Sequence, residues 1–213
     1  MEKENLLKEI KATKPRIIYV SGKTCTGKTT FANEMRAEGY VQIELDTIVT
    51  NSVVIPFNLP AGEAFLTAYR DAGPTEQTEA FITAAKSEIA EKAKSSPIVI
   101  EGAIAKSRIL KEIFSNELAD FFFVYFHPVH LENYIERIRT RFTAGVVDGT
   151  TGLPKHFWDR TREVDVESFI VTLKMNEGIE RAIKEYAGIS MKESEERLAH
   201  LRESFPDIHV VEV

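Results

Sequence analysis

The sequence predicts a three-layer α/β fold around a five-stranded, mostly parallel sheet. Three observations point there. Five short apolar runs are rich in β-branched and aromatic residues, amphipathic helical stripes lie between them, and a glycine-bearing loop joins the first run to the segment after it. Parallel strands are covered on both faces and so read as continuous apolar runs. Alternation of strand with helix builds a layered, mostly parallel sheet.

The first strand is expected over Arg16–Ser21 (RIIYVS) and a helix over Phe31–Gly39, with GKTCTGKT (Gly22–Thr29) between them. The second strand is expected at Tyr40–Ile43 and the third at Pro97–Glu101. Between these, Thr50–Pro74 holds Pro56, Pro60, Gly62, Gly73 and Pro74 and reads as a loop with short helices. Phe81, Ala85 and Ile89 then mark one face of a helix. The fourth strand is expected at Asp120–Phe126, followed by a helical stripe of Leu131, Ile135, Ile138 and Phe142. Thr143–Pro154 contains three glycines and reads as a mobile loop. Met175, Ile179, Ile183 and Tyr186 form another stripe, and Ile208–Val213 the fifth strand. The stripes are core-facing sides without chemical meaning of their own. No repeat, low-complexity tract or linker divides the chain, so residues 1–213 are expected to form one domain.

Composition narrows the classes. The chain is 43% hydrophobic and 28% charged, ordinary for a soluble globular protein. Its 27 basic and 33 acidic residues give a net charge of −6, which argues against a nucleic-acid-binding surface as the main feature. The single cysteine, Cys25, permits no internal disulfide and no cysteine-rich zinc site. The first residues, MEKENLLKEIKATK, are charged throughout and unlike a signal peptide. The longest apolar run, FFFVYF (Phe121–Phe126), is too short to cross a membrane. A cytoplasmic protein with no membrane or nucleic-acid partner is expected, its oligomeric state open.

GKTCTGKT satisfies G-x-x-x-x-G-K-[ST] at every fixed position, in the strand–loop–helix setting that a phosphate-binding loop needs. Glycine lets the backbone approach a polyphosphate, and successive N–H groups then cradle it. Gly22, Lys23, Thr24, Cys25, Thr26, Gly27, Lys28, Thr29 and Thr30 are therefore candidate contacts to a nucleoside triphosphate. Lys28 suits the β- and γ-phosphates, and the Thr29 hydroxyl suits Mg²⁺.

Ligands of such sheets bind beyond the carboxyl ends of the strands. Glu44, Asp46, Glu101, Gly102 and His127 stand there. Asp46 is the candidate general base toward an acceptor hydroxyl, with Glu44 as its rival. Asp46 also suits an N-cap. Glu101 is a candidate Mg²⁺ ligand through water; it could instead position an acceptor or be an exposed strand-end glutamate. Arg137, Arg139, Arg141, Arg160 and Arg162 are the cation candidates, led by Arg141 and Arg160. Arg137 and Arg141 share a helix face with Tyr134, while Arg139 points elsewhere. Such arginines either close over phosphate or form surface ion pairs. Arg70 and Arg108 are candidate acceptor contacts. Cys25 reads as a small residue at an unrestricted loop position, or alternatively as a thiolate favoured by the nearby helix N-terminus. Phe157 and Trp158 suit base stacking or hinge packing.

In layout, the chain resembles the P-loop kinases of small molecules and nucleotides, a group that includes adenylate-kinase-like, shikimate and gluconate kinases and chloramphenicol phosphotransferase. The resemblance rests on GKTCTGKT, Asp46 after the second strand, the strand ending in Glu101-Gly102, the run FFFVYFHPVHLENYIERIRTRF, and a glycine-containing segment before DRTR (Asp159–Arg162). It implies a sheet of order 2-3-1-4-5, a helical acceptor-binding insert over 47–96 and a lid over 137–162. The implied activity is ATP- and Mg²⁺-dependent transfer of a phosphoryl group to a small hydroxyl- or phosphate-bearing metabolite or nucleotide. Two other classes stay open: an ATP-hydrolysing switch without a small acceptor, and a toxin-like kinase of a sugar nucleotide.

Overall fold

The computed structural model describes residues 2–59, 75–104, 106–115, 121–147 and 177–213. Five strands, β1 (Ile17–Gly22), β2 (Val41–Glu44), β3 (Ile98–Glu101), β4 (Phe121–His127) and β5 (His209–Glu212), form one sheet in the order β2-β3-β1-β4-β5. Every pairing is parallel; Ile17 of β1 stands level with Ile98 of β3 and with Phe121 of β4. Each strand lies within a residue or so of its expected place.

The inner strands β1, β3 and β4 are largely apolar because both their faces are covered, while the edge strands β2 and β5 carry polar, partly exposed residues. Successive residues point to opposite faces. Ile17 and Tyr19 of β1, with Phe123 and Tyr125 of β4, enter a larger core, and Ile18, Val20, Phe122, Val124 and Phe126 enter a smaller one. The larger core is closed by α3 (Leu45–Val49), α4 (Glu76–Ala93), α5 (Ser107–Ile113) and α7 (Glu177–Ser204). The smaller is closed by α1 (Lys3–Thr13) and α2 (Lys28–Ala37). The remaining helix is α6 (Leu131–Val147).

Two of these helices were not foreseen. α1 lies in the stretch read only as charged throughout and unlike a signal peptide. Its Leu6 and Ile10 are fully buried against β1 and α2, and Lys14, in the left-handed region at φ 48°, ends it. α5 follows β3 and buries Ile109, Leu110 and Ile113. The segment after β2 does hold short helices: α3 continues through a π-helical turn (Thr50–Val54) into one more turn, Ile55–Phe57. The rest of that stretch, 60–74, lies outside the described residues.

α4 begins at Thr75, whose Oγ1 accepts a hydrogen bond from the Thr78 amide at 3.1 Å, and it buries the expected Phe81, Ala85 and Ile89. On α6, Ile135 and Ile138 of the expected stripe are buried together with Tyr134, Leu131 is 40% exposed, and the side chain of Phe142 lies outside the described residues. The helix runs to Val147, so the loop expected from Thr143 begins no earlier than 148. On α7, Ile183 and Tyr186 are buried as expected, while Met175 lies outside the described residues. Among the described residues no helix is long and apolar enough to cross a membrane.

Candidate active site

The site starts at the end of β1. Gly22 has φ 142°, and a Cβ there would stand 2.5 Å from the Phe126 carbonyl oxygen of the neighbouring strand. Only glycine permits that approach. Gly27 (φ 98°) precedes α2, and Cys25 adopts φ 65° without being a glycine. A left-handed residue costs strain that its surroundings must hold in place. They do so here. The Thr26 hydroxyl donates to the Lys23 carbonyl at 2.8 Å, and the Lys28 ammonium donates to the same oxygen at 2.7 Å. From α6, the Tyr134 hydroxyl donates to the Thr24 carbonyl at 2.9 Å. From α7, Glu193 pairs with the buried Lys23 ammonium. The Lys23 side chain is thus committed beneath the loop, leaving only its backbone for a phosphate.

The loop opens onto a cleft of about 970 Å³ at the carboxyl end of the sheet. Thr24 to Thr30 line it, as do Glu44, Asp46, Glu101, Arg137 and Arg141. The carboxylates stand over β2 and β3, and the arginines come from α6. Arg137 Nη1 reaches the Thr26 carbonyl at 3.5 Å. Arg139 is turned away to a two-point ion pair with Glu180 of α7, at 2.9 and 2.7 Å, and to Glu136. Arg70, Phe157, Trp158, Arg160 and Arg162 lie outside the described residues.

One expectation and two alternatives are corrected. Arg108 does not line this cleft. It sits on α5, 3.0 Å from Glu112 and 4.0 Å from Glu79, beside a separate shallow cleft with Lys106, Lys111 and His200. Its place soon after Glu101 in sequence is undone because α5 turns its side chain toward a glutamate four residues on. Cys25 is not a favoured thiolate either. Burial pushes its thiol up, and the pull of Arg141, Lys28 and Arg137 only offsets part of that. Asp46 is not an N-cap: Glu44 holds that position, without a capping bond from its side chain, and Asp46 lies in the first turn of α3. His127 is half-buried with Nδ1 3.1 Å from the Ser194 hydroxyl of α7, and burial lowers its pKa.

The Thr29 hydroxyl donates to Glu101 Oε1 at 2.6 Å, and Gln42 Nε2 stands 3.5 Å from Glu101 Oε2. A hydroxyl and a carboxylate side by side at a phosphate loop are the hard oxygen donors that Mg²⁺ takes, the remainder coming from phosphate and water. Among the described residues no group of three metal-ligating side chains occurs, and such an ion needs none.

Lys28 is the most perturbed cation of the site. Burial lowers its pKa to about 8, against the opposing pull of Glu101 and Asp46. A polyphosphate beside it would raise that pKa again. Nucleotide binding at pH 8.5 is therefore expected to take up protons and to weaken as pH rises further. Calorimetric titration in two buffers of different ionisation enthalpy checks this; equal heats would place Lys28 away from the phosphates.

Sequence reasoning missed several residues of the cleft. Asn133, Thr140 and Glu136 line it beside Arg137 and Arg141. Asn133, Arg137, Thr140 and Arg141 follow i, i+4, i+7, i+8 spacing, so one helix face was legible. Lys3 of α1 also lines the cleft, with no signal in the sequence.

A parallel sheet of order β2-β3-β1-β4-β5, with a phosphate loop after its central strand, is an α/β P-loop fold of the kinase type. No protein-family model matches the chain, and no curated protein matches it significantly. Among solved structures it is similar to a sugar kinase from Janibacter sp. HTCC2649 at 18% identity and TM-score 0.43, over 59% of this chain and 67% of that one. A gluconokinase from Sinorhizobium meliloti 1021 matches at 18% identity and TM-score 0.40, over 60% of this chain and 65% of that one. A shikimate kinase from Bacteroides thetaiotaomicron matches at 17% identity and TM-score 0.41, over 88% of this chain and 98% of that one. The chain thus spans about two thirds of the first two, and the likeness is one of fold.

Proposed function

We propose that the chain is an ATP- and Mg²⁺-dependent phosphotransferase acting on a hydroxyl of a small metabolite. One observation supports this above the rest: a single cleft holds the phosphate loop with Lys28, the Thr29–Glu101 pair and the carboxylate of Asp46.

Loop amides and Lys28 bind the phosphates, and Thr29 with Glu101 would hold Mg²⁺, which when bound would supply charge neutralisation to the phosphates. Arg137 and Arg141 face the transferring group, and we assign Arg160 the same role. Asp46 accepts the acceptor's hydroxyl proton as the new O–P bond forms and the bond to the bridging oxygen breaks, releasing ADP. Residues 47–96, with Arg70, are assigned to acceptor choice, and 137–162 to closure over ATP.

The acceptor side narrows the substrate. Among the described residues, Glu44 and Asp46 line it with their carboxylates. Like charges repel across a low-dielectric cleft. A neutral or amine-bearing polyol fits this side better than a phosphate-bearing acceptor. Transfer of γ-labelled phosphate from Mg-ATP into separate pools of sugars, amino-sugars, hydroxy acids, nucleosides and nucleotides tests both points. Label in a neutral or amine-bearing hydroxyl compound is expected. Label only in phosphate-bearing compounds overturns the acceptor class. Label released only as free phosphate, at one rate with or without any pool, overturns the kinase reading in favour of an ATP-hydrolysing switch.

A further inference from the structure

The phosphate loop divides the cleft into two halves. The half over β2 and β3 carries the carboxylates, where the acceptor is placed. The other half lies over the ends of β4 and β5 and is lined by Phe126, Asn133, Val213 and Lys3. A nucleotide whose phosphates sit on the loop and whose γ-phosphate faces Asp46 must extend its nucleoside into this second half. This inference rests on the proposed nucleotide site.

Lys3 does not come from the sheet or from α6. It comes from α1, docked by Leu6 and Ile10 into the smaller core. Its ammonium is fixed 2.6 Å from Glu34 Oε1 of α2, the helix that begins in the phosphate loop. Glu34 Oε2 is buried with no hydrogen-bond partner among the described residues. An ammonium carries three donors, and Glu34 Oε1 takes only one.

We propose that Lys3, anchored by Glu34, donates a hydrogen bond to the nucleoside of the bound nucleotide, so that α1 forms one wall of the nucleotide site. Lys3 is then a specificity residue and Glu34 the residue that positions it.

Calorimetric titration of the full chain with ATP and with inorganic tripolyphosphate, which has no nucleoside, tests the proposal. In Lys3→Met, ATP affinity is expected to fall about 10-fold with tripolyphosphate affinity unchanged, the scale of one charge-assisted hydrogen bond. Glu34→Gln keeps the shape of the anchor and is expected to weaken ATP alone by a smaller factor. Equal loss for both ligands in Lys3→Met would make Lys3 a diffuse charge on the phosphates and overturn the proposal. Unchanged ATP affinity would do the same. A wild-type chain that binds neither ligand would instead defeat the nucleotide-site reading itself. Lys3 is more than a third exposed, and methionine preserves its stem, so an unchanged melting temperature is the expected fold control.

Discussion

Replacing Lys28 by methionine is expected to lower phosphoryl transfer by about 10³-fold and to weaken ATP binding by at least about 10-fold. The ammonium lies half-buried in the loop, 2.7 Å from the Lys23 carbonyl, and meets the phosphates at short range in a water-poor setting. Charge placed in advance of the reaction is worth most in such a setting. The same burial makes the free protein bear a cost. In the folded chain the Lys28 pKa is lowered to about 8, below its ordinary value in the unfolded chain. Below about pH 8 both states carry the proton, and the folded state suffers the desolvation. Between about pH 8 and the ordinary lysine value the unfolded state binds more protons, so the wild-type chain gains stability as pH rises. Lys28→Met, which has no charge to desolvate, is expected to be more stable than wild type at neutral pH and to lack that rise. Denaturant unfolding from pH 7 to 10 separates this from a general folding defect. A variant that loses activity and stability together would return Lys28 to a structural role.

The sheet was legible because its inner strands are buried on both faces and its edge strands keep a buried apolar residue. Tyr19, Ile43, Ile100 and Tyr125 need no alternation to betray them, and all are buried. The phosphate loop was legible because its chemistry is local: eight consecutive residues specify the turn, the amides, the lysine and the hydroxyl. The missing parts are those whose meaning is non-local. α1 holds its place by Leu6 and Ile10 within a charged segment, and a stripe that short gives little periodic signal. The Lys23–Glu193 pair spans 170 positions and Lys3–Glu34 spans 31, so no spacing rule relates either pair. Arg108 misled for the opposite reason. Nearness in sequence to Glu101 suggested nearness in space, but one short helix carried it to another surface. At Cys25 a helix N-terminus argues for a thiolate and burial argues against one. The sequence shows the first and not the second, and burial is the larger effect.

Asp46 leads to the second large effect. Asp46→Asn is expected to lower kcat by about 10²-fold or more while ATP affinity stays within about twofold. Asp46 lies in the first turn of α3 and opens onto the cleft, close enough to Lys28 for the lysine to feel its charge. A proton acceptor for the hydroxyl belongs on that side of the phosphates. Two other accounts of Asp46 make different predictions. As a first-turn acid complementing the helix dipole, it would contribute about 0.3–1 kcal/mol, and the Asn variant would shift the melting temperature with kcat intact. As a bystander to Glu44, it would leave the loss to Glu44→Gln. Glu44 is the weaker candidate on its surroundings. It ends β2 with Oε1 3.3 Å from Gln42 Nε2, and Gln42 also reaches toward Glu101. Through that amide Glu44 is tied to the carboxylate that pairs with Thr29, which sets it toward the metal side of the cleft. Glu44→Gln is therefore expected to cost less than about 10-fold in kcat. The ratio of the two losses, measured at saturating Mg-ATP, assigns the base: a large loss in Asp46→Asn alone identifies Asp46, and the reverse pattern transfers the role to Glu44.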